Sequence, residues 1–165
     1  MLQPNLQFLL SFPGNNTDGM VVAGIAIIIG LIALAIGLII AIFFCLTLQN
    51  LLKAIQKENR AMEPGMVWLI LIPVFNIVWN FVVVINISKS IHAEYKSRNM
   101  EIEDKPLYTL GLVWAISSIC GFIPYLNYVS GIVALVSFIM YWIKANEYKN
   151  TIRQFPAAAI NEIGQ

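Results

Sequence analysis

Three uncharged stretches decide what this chain can become: 34 residues separate Asp18 from Lys53, 25 separate Glu63 from Lys89, and 38 separate Lys105 from Lys144. A soluble domain spreads charge along its helices and strands, with about a quarter of its residues charged. Here 12% are charged and 59% hydrophobic, so the charges are confined to short segments between apolar blocks. A membrane-spanning helix needs about 20 consecutive apolar residues. The sequence therefore predicts an all-α integral membrane protein, a small helical bundle of three to four spans. Ten basic against nine acidic residues give a formal charge of +1, which provides no field for a nucleic acid.

The blocks divide the chain into segments. Residues 1–19 are expected to form a short extracytoplasmic N-terminus. No basic region precedes the first apolar run, and the apolar segment is longer than a signal core, so it is expected to stay as an anchor. Asn15-Asn16-Thr17 matches an N-glycosylation acceptor but abuts the first span, and we read it as coincidence. The first span covers 20–48, and Leu51, Leu52 and Ile55 continue it as a cytoplasmic amphipathic helix to about residue 60. Residues 89–105 form a cytoplasmic charged loop and 144–165 a cytoplasmic tail. The 106–143 block is too long for one span. It breaks at Gly121-Phe122-Ile123-Pro124-Tyr125-Leu126-Asn127, predicting a transmembrane hairpin of two helices, each about 27 Å long at 1.5 Å per residue.

Residues 66–88 are long enough to cross once, yet Pro73 lies inside them and removes a helical hydrogen bond. Ile72-Pro73-Val74-Phe75-Asn76 also corresponds to Ile123-Pro124-Tyr125-Leu126-Asn127, and Glu94-Tyr95-Lys96 to Glu147-Tyr148-Lys149, an internal repeat at a spacing of 51 to 53 residues. Capping explains such a motif: Pro ends one helix, and the Asn side chain accepts from the free N–H groups that open the next. With four full crossings, seven basic residues lie on one side and three on the other. If 66–88 is instead a re-entrant hairpin, all 10 basic residues lie inside and the N-terminus lies outside. The positive-inside rule favours the hairpin, provided that protein shields its irregular backbone.

Pro64-Gly65-Met66-Val67-Trp68, followed by Ile72-Pro73, Asn76 and Trp79, resembles the signature of a family of small bacterial membrane proteins known only as a domain of unknown function. The family pattern is a Pro-Gly-Trp start and an Ile-Pro-x-x-Asn-x-Trp turn ahead of a helix. The resemblance runs from Arg60 to Ser90. It implies the bacterial cytoplasmic (inner) membrane and brings no activity. Trp68 lies two residues beyond the family position, and Val82, Val83, Val84 and Ile85 replace the charged helix common in such relatives.

Two constellations bear on function. Ala26, Gly30, Ala33, Gly37 and Ala41 share one face of the first span, and small residues at this spacing let helix backbones approach closely. The face packs either on a second copy or, the reading favoured here, within the chain on Gly111, Ala115 and Ser118 or on Ser130, Ala134 and Ser137. Asn76, Trp79, Asn80 and Asn86 lie within about a third of a helix circumference. They serve either as caps and interhelical hydrogen bonds, the favoured reading, or as the lining of a polar pocket or path to which Asn127 contributes.

Catalytic and metal chemistry find little support. The apolar blocks hold no Asp, Glu, Lys, Arg or His, whereas proton relays and carriers of charged substrates place such groups within their spans. His92 is the one histidine and sits in His92-Ala93-Glu94-Tyr95-Lys96-Ser97-Arg98, which reads as a solvated helix end without a nucleophile. Glu94, Glu101, Glu103 and Asp104 match no regular cation loop. Cys45 and Cys120 are expected to be too far apart for a disulfide and to act as small core residues. Tyr108, Tyr141 and Trp142 are placed at the inner interface, with Phe122, Tyr125 and Tyr128 at the outer one. The expectation is a non-enzymatic structural or accessory subunit, without cofactor. Membrane lipids, a second copy or a larger membrane-protein complex are its partners, and an oligomeric pore for ions or small neutral solutes is the alternative.

Overall fold

The computed structural model describes residues 16–121 and 123–155. The glycosylation pattern therefore lies partly, and Phe122 wholly, outside the described residues, as do residues 1–15 and the tail beyond Phe155. The protein is all-helical, and no strand occurs among the described residues. Helix α1 covers Asn16–Ala54, α2 Phe75–Ser97, α3 Tyr108–Cys120 and α4 Asn127–Gln154; short 3-10 helices occupy Lys57–Asn59 and Pro64–Leu71. Within these, Gly19–Ala54 and Asn127–Gln154 are long and apolar enough to cross a membrane.

The chain divides into two units, Met1–Ile40 and Ala41–Gln165. In the first, α1 is apolar all round, and its large side chains from Met20 to Ile40 are exposed. Such a surface is unstable against water and suits lipid or an apolar partner.

The second unit holds the core. Leu48, Leu51 and Leu52 of α1, and Ile55 just beyond it, meet Val83, Val84, Ile87 and Ile91 of α2, with Val67 and Ile70 of the long 3-10 helix. Phe44 lies edge-on to Trp114 at 5.4 Å and tilted on Phe138 at 4.8 Å. Helix α1 ends at Ala54, earlier than the expected residue 60, because Arg60 folds back on its C-terminus. The Arg60 guanidinium donates to the carbonyls of Ile55 and Lys53, at 2.9 and 3.1 Å. A cation there satisfies orphan carbonyls and suits the helix dipole.

Residues 66–88 do not form one helix. Pro64–Leu71 is a 3-10 helix, and α2 starts only after a tight turn. In that turn Val74 has φ 67° and ψ −52°, and the Phe75 N–H donates to the Pro73 carbonyl at 2.7 Å, a γ-turn. A β-branched residue there is strained by about 1–3 kcal/mol. The turn is held by Trp79, whose indole N–H donates to the Met66 carbonyl at 2.9 Å and whose ring stacks on Phe75. The second Ile-Pro motif repeats the feature, with Tyr125 at φ 73°. Capping by asparagine, however, does not occur. Neither α2 nor α4 has a side-chain cap, and main-chain carbonyls of the turns take up N–H groups of Asn76, Ile77 and Ser130.

The α3/α4 hairpin has unequal arms, against the equal pair of about 27 Å expected. Helix α3 has 13 residues, or about 20 Å, and α4 has 28, or about 42 Å. Leu107 in the left-handed region delays the start of α3, while α4 runs past Lys144 to Gln154. Gly111 brings α3 against its neighbours: a Cβ there would lie 2.4 Å from Val84 Cγ1 and 2.9 Å from Tyr141 Cε2.

Candidate functional site

Asn76 and Asn80 stand one turn apart on α2, so both present to the same neighbour. That neighbour is α3, where Ala115, Ser118 and Ile119 complete a cavity of ≈ 180 Å³ with Ile77. Asn80 is 6% exposed, and the amide oxygens of both asparagines lie buried without a hydrogen-bond partner. Each unpartnered buried acceptor costs roughly 1–3 kcal/mol. Ser118 donates its hydroxyl proton to the Trp114 carbonyl at 2.8 Å, which leaves its lone pairs free. The complement of this lining is a molecule that presents hydrogen-bond donors or a small cation. Water is the simplest, and the space holds several at about 30 Å³ each.

The other sequence-predicted residues do not join it. Asn86 is half-buried lower on α2, where its backbone carbonyl accepts from Ser90 Oγ at 2.7 Å. Asn127 opens α4, Pro124 and Pro73 belong to the two turns, and Trp79 closes the first hairpin. Trp79 also stands three residues after Asn76, one more than in the Ile-Pro-x-x-Asn-x-Trp pattern.

The small-residue face lies along α1. Ala26, Gly30, Ala33 and Gly37 are exposed and Ala41 half-buried, and nothing lies within 4 Å of a Cβ built at Gly30 or Gly37. Gly111, Ala115, Ser130 and Ser137 are buried in the second unit.

The segment His92–Arg98 is not the solvated helix end that its composition suggested. Glu94 is fully buried and Arg98 is 6% exposed, and the two form an ion pair one turn apart. Glu94 Oε2 accepts from the Gln56 N–H at 3.0 Å and from Asn59 Nδ2 at 2.7 Å; Arg98 donates to the carbonyls of Ile152, at 2.9 Å, and Phe155. One pair thus joins the segment that follows α1, α2 and the end of α4. Asn99, at φ 53°, then stops α2, with Met100 N–H donating to the Tyr95 carbonyl and Asn99 N–H to the Lys96 carbonyl. A signal for the pair was present in the spacing. Ile87, Ile91, Glu94 and Arg98 fall on one helical stripe, which places both charges on the apolar face.

Beside the pair, Tyr95 and Tyr148 meet edge to face at 5.7 Å, and burial pushes both phenols above their ordinary range. Tyr141 is not at an interface, since it is fully buried against Trp114 and Phe44. Tyr125 and Tyr128 are exposed at the second turn. Trp142 donates its indole N–H to Thr47 Oγ1 at 3.0 Å. Cys45 and Cys120 are both free. Among the described residues no group of His, Cys, Asp and Glu comes together to hold a metal ion. No protein family, curated protein or solved structure matches this chain.

Proposed function

We propose that this protein is a non-enzymatic integral membrane subunit that associates, through the small-residue face of α1, with a second copy or a larger membrane-protein complex. The observation that carries the reading is the open space around Gly30 and Gly37 on a helix whose apolar residues are exposed throughout. Close backbone approach is what such a face offers, and in lipid it brings dispersion contacts that a bulky face does not. In the second unit the burial pattern also suits lipid. On α4 the buried residues include Ser130, Ser137 and Ala145, while Ile132, Val136, Ile139 and Ile143 are exposed. This inverts the arrangement of a soluble helix.

The topology proposed is N-terminus outside and C-terminus inside a bacterial cytoplasmic membrane, the setting that the resemblance over residues 60–90 implies. Residues 66–88 are read as re-entrant. Support comes from the ends of this segment: Ala61 N–H donates to Ser90 Oγ at 2.8 Å, and Asn59 Nδ2 to Ser97 Oγ at 2.9 Å. A full crossing would hold such ends about 30 Å apart.

The test is Gly30→Leu with Gly37→Leu. Native mass of the gently extracted protein, lipids retained, is expected above the single-chain 18.5 kDa for the parent and at that value for the variant. Thermal unfolding of the monomer is expected not to fall, since the leucines enter open space and replace glycines within a helix. A parent already at the single-chain mass, or a variant that stays assembled, refutes the reading.

The cavity at Asn76 and Asn80 favours a second reading, an oligomeric pore for ions or small neutral solutes. It expects Asn80→Ala to alter solute uptake or conductance in reconstituted vesicles while assembly is retained. A subunit without a pore leaves flux at the level of empty vesicles in both proteins.

A further inference from the structure

A second cavity, of ≈ 350 Å³, opens where the charged loop meets the apolar blocks. Its two lysines mark the same boundary. Lys89 ends one uncharged stretch and Lys105 precedes another, and the fold brings them to one rim with His92. The His92 Nδ1–H donates to the Glu103 carbonyl at 3.3 Å, which holds the ring and leaves Nε2 free of that bond. Lys105 Nζ lies 5.3 Å from the centre of the Tyr108 ring, so its ammonium is oriented without being neutralised. Below the rim the lining turns apolar at Ile85, one turn deeper on α2, beside the buried Ser88. Asp104 shares the rim and offsets one lysine, so the cavity keeps a net positive charge.

We infer that this cavity binds the phosphodiester headgroup of an anionic phospholipid, with Lys89 and Lys105 on the phosphate and the acyl chains leaving past Ile85. A cationic rim above an apolar floor matches the two halves of such a lipid and no free anion as a whole. Basic pockets between membrane helices on the inner side are suited to such headgroups. The inference rests on the membrane reading above.

The experiment places the full-length protein in phosphatidylcholine vesicles containing phosphatidylglycerol and counts, by native mass spectrometry after extraction, the lipids retained. Lys89→Gln with Lys105→Gln is expected to retain phosphatidylglycerol about 30-fold more weakly, at roughly fivefold per lysine near an anionic surface. Lys53→Gln with Lys57→Gln removes the same charge from exposed positions elsewhere and is expected to leave retention at the parent level. Asp104→Asn removes the opposing charge and is expected to raise retention, a gain that misfolding does not mimic. Equal loss in both lysine pairs, or no gain in the Asp104 variant, overturns the inference. Complete displacement by excess inorganic phosphate does so as well, by making this a free-anion site. A parent protein that alkali strips from the membrane overturns the membrane reading and this inference together. Firm membrane integration without selective retention overturns the lipid site alone.

Discussion

Replacing Arg98 with Met is expected to destabilise the protein by about 3–5 kcal/mol, because it leaves the Glu94 carboxylate buried without its cation. The same change removes the donors to the Ile152 and Phe155 carbonyls, so the end of α4 loses its tie to α2. Chemical unfolding in detergent micelles checks the magnitude. Glu94→Gln added to Arg98→Met is expected to recover much of the loss. A glutamine oxygen still accepts from the Gln56 N–H and Asn59 Nδ2, and no net charge is then buried. A double variant no more stable than Arg98→Met shows that the charge is not what destabilises the single variant. Added salt is expected to leave the parent's stability nearly unchanged, as burial protects the pair from screening.

The pair also shows which parts of this structure the sequence disclosed. Long uncharged blocks made helices legible, and the Ile-Pro repeat located two turns, each placing the residue after Pro at positive φ, Val74 and Tyr125. Pro73 marked the break inside 66–88, where a 3-10 helix and α2 meet at the turn and Trp79 donates across it to the Met66 carbonyl. What composition concealed was direction. A segment such as His92–Arg98 has the same composition whether its charges face water or protein, and only helical phase separates Glu94 and Arg98 from Lys89 and Lys96. Asn76 was legible as special but not in its role. Capping needs a side chain that turns back to its own helix end, and the γ-turn carbonyls already occupy those N–H groups.

Two packing regimes meet in the second unit. Near the charged loops it is built as a water-soluble protein is: Leu48, Leu51, Leu52, Ile55, Ile87 and Ile91 are inside, and Lys53, Lys57 and Lys89 outside. Toward the two Ile-Pro turns the order reverses, with Ser130, Ser137, Ala115 and Asn80 inside and Ile116, Ile132 and Val136 outside. The first regime draws on the hydrophobic effect. Placed in lipid, the second would have no such drive and would rely on close contact and hydrogen bonds. Unpartnered groups at Asn76 and Asn80 would weigh more in that setting than beside water.

Close contact is testable at Gly111, where α3 lies against Val84 and Tyr141. Gly111→Ala places a methyl group 2.4 and 2.6 Å from the two Val84 methyls and 2.9 Å from Tyr141 Cε2, all nearer than packed carbons come. Val84 is fully buried, and Tyr141 is fixed between Phe44 and Trp114, so neither has room to retreat. Overpacking of this kind costs about 1–3 kcal/mol. Val84→Ala alone is expected to destabilise as well, by opening a cavity. Together the two changes exchange volume across the contact, so the double variant is expected to be more stable than the sum of the singles predicts, by about 0.5–3 kcal/mol. Thermal unfolding of all four proteins in one detergent measures that coupling. Strict additivity refutes the contact. Gly30→Ala is the internal comparison, since the same methyl group meets nothing within 4 Å on α1. Its expected effect on the monomer is within about 0.5 kcal/mol, apart from the gain in helix propensity of roughly 1 kcal/mol over glycine. The same substitution is thus costly where the chain has already used a glycine for contact, and harmless where the added Cβ meets open space.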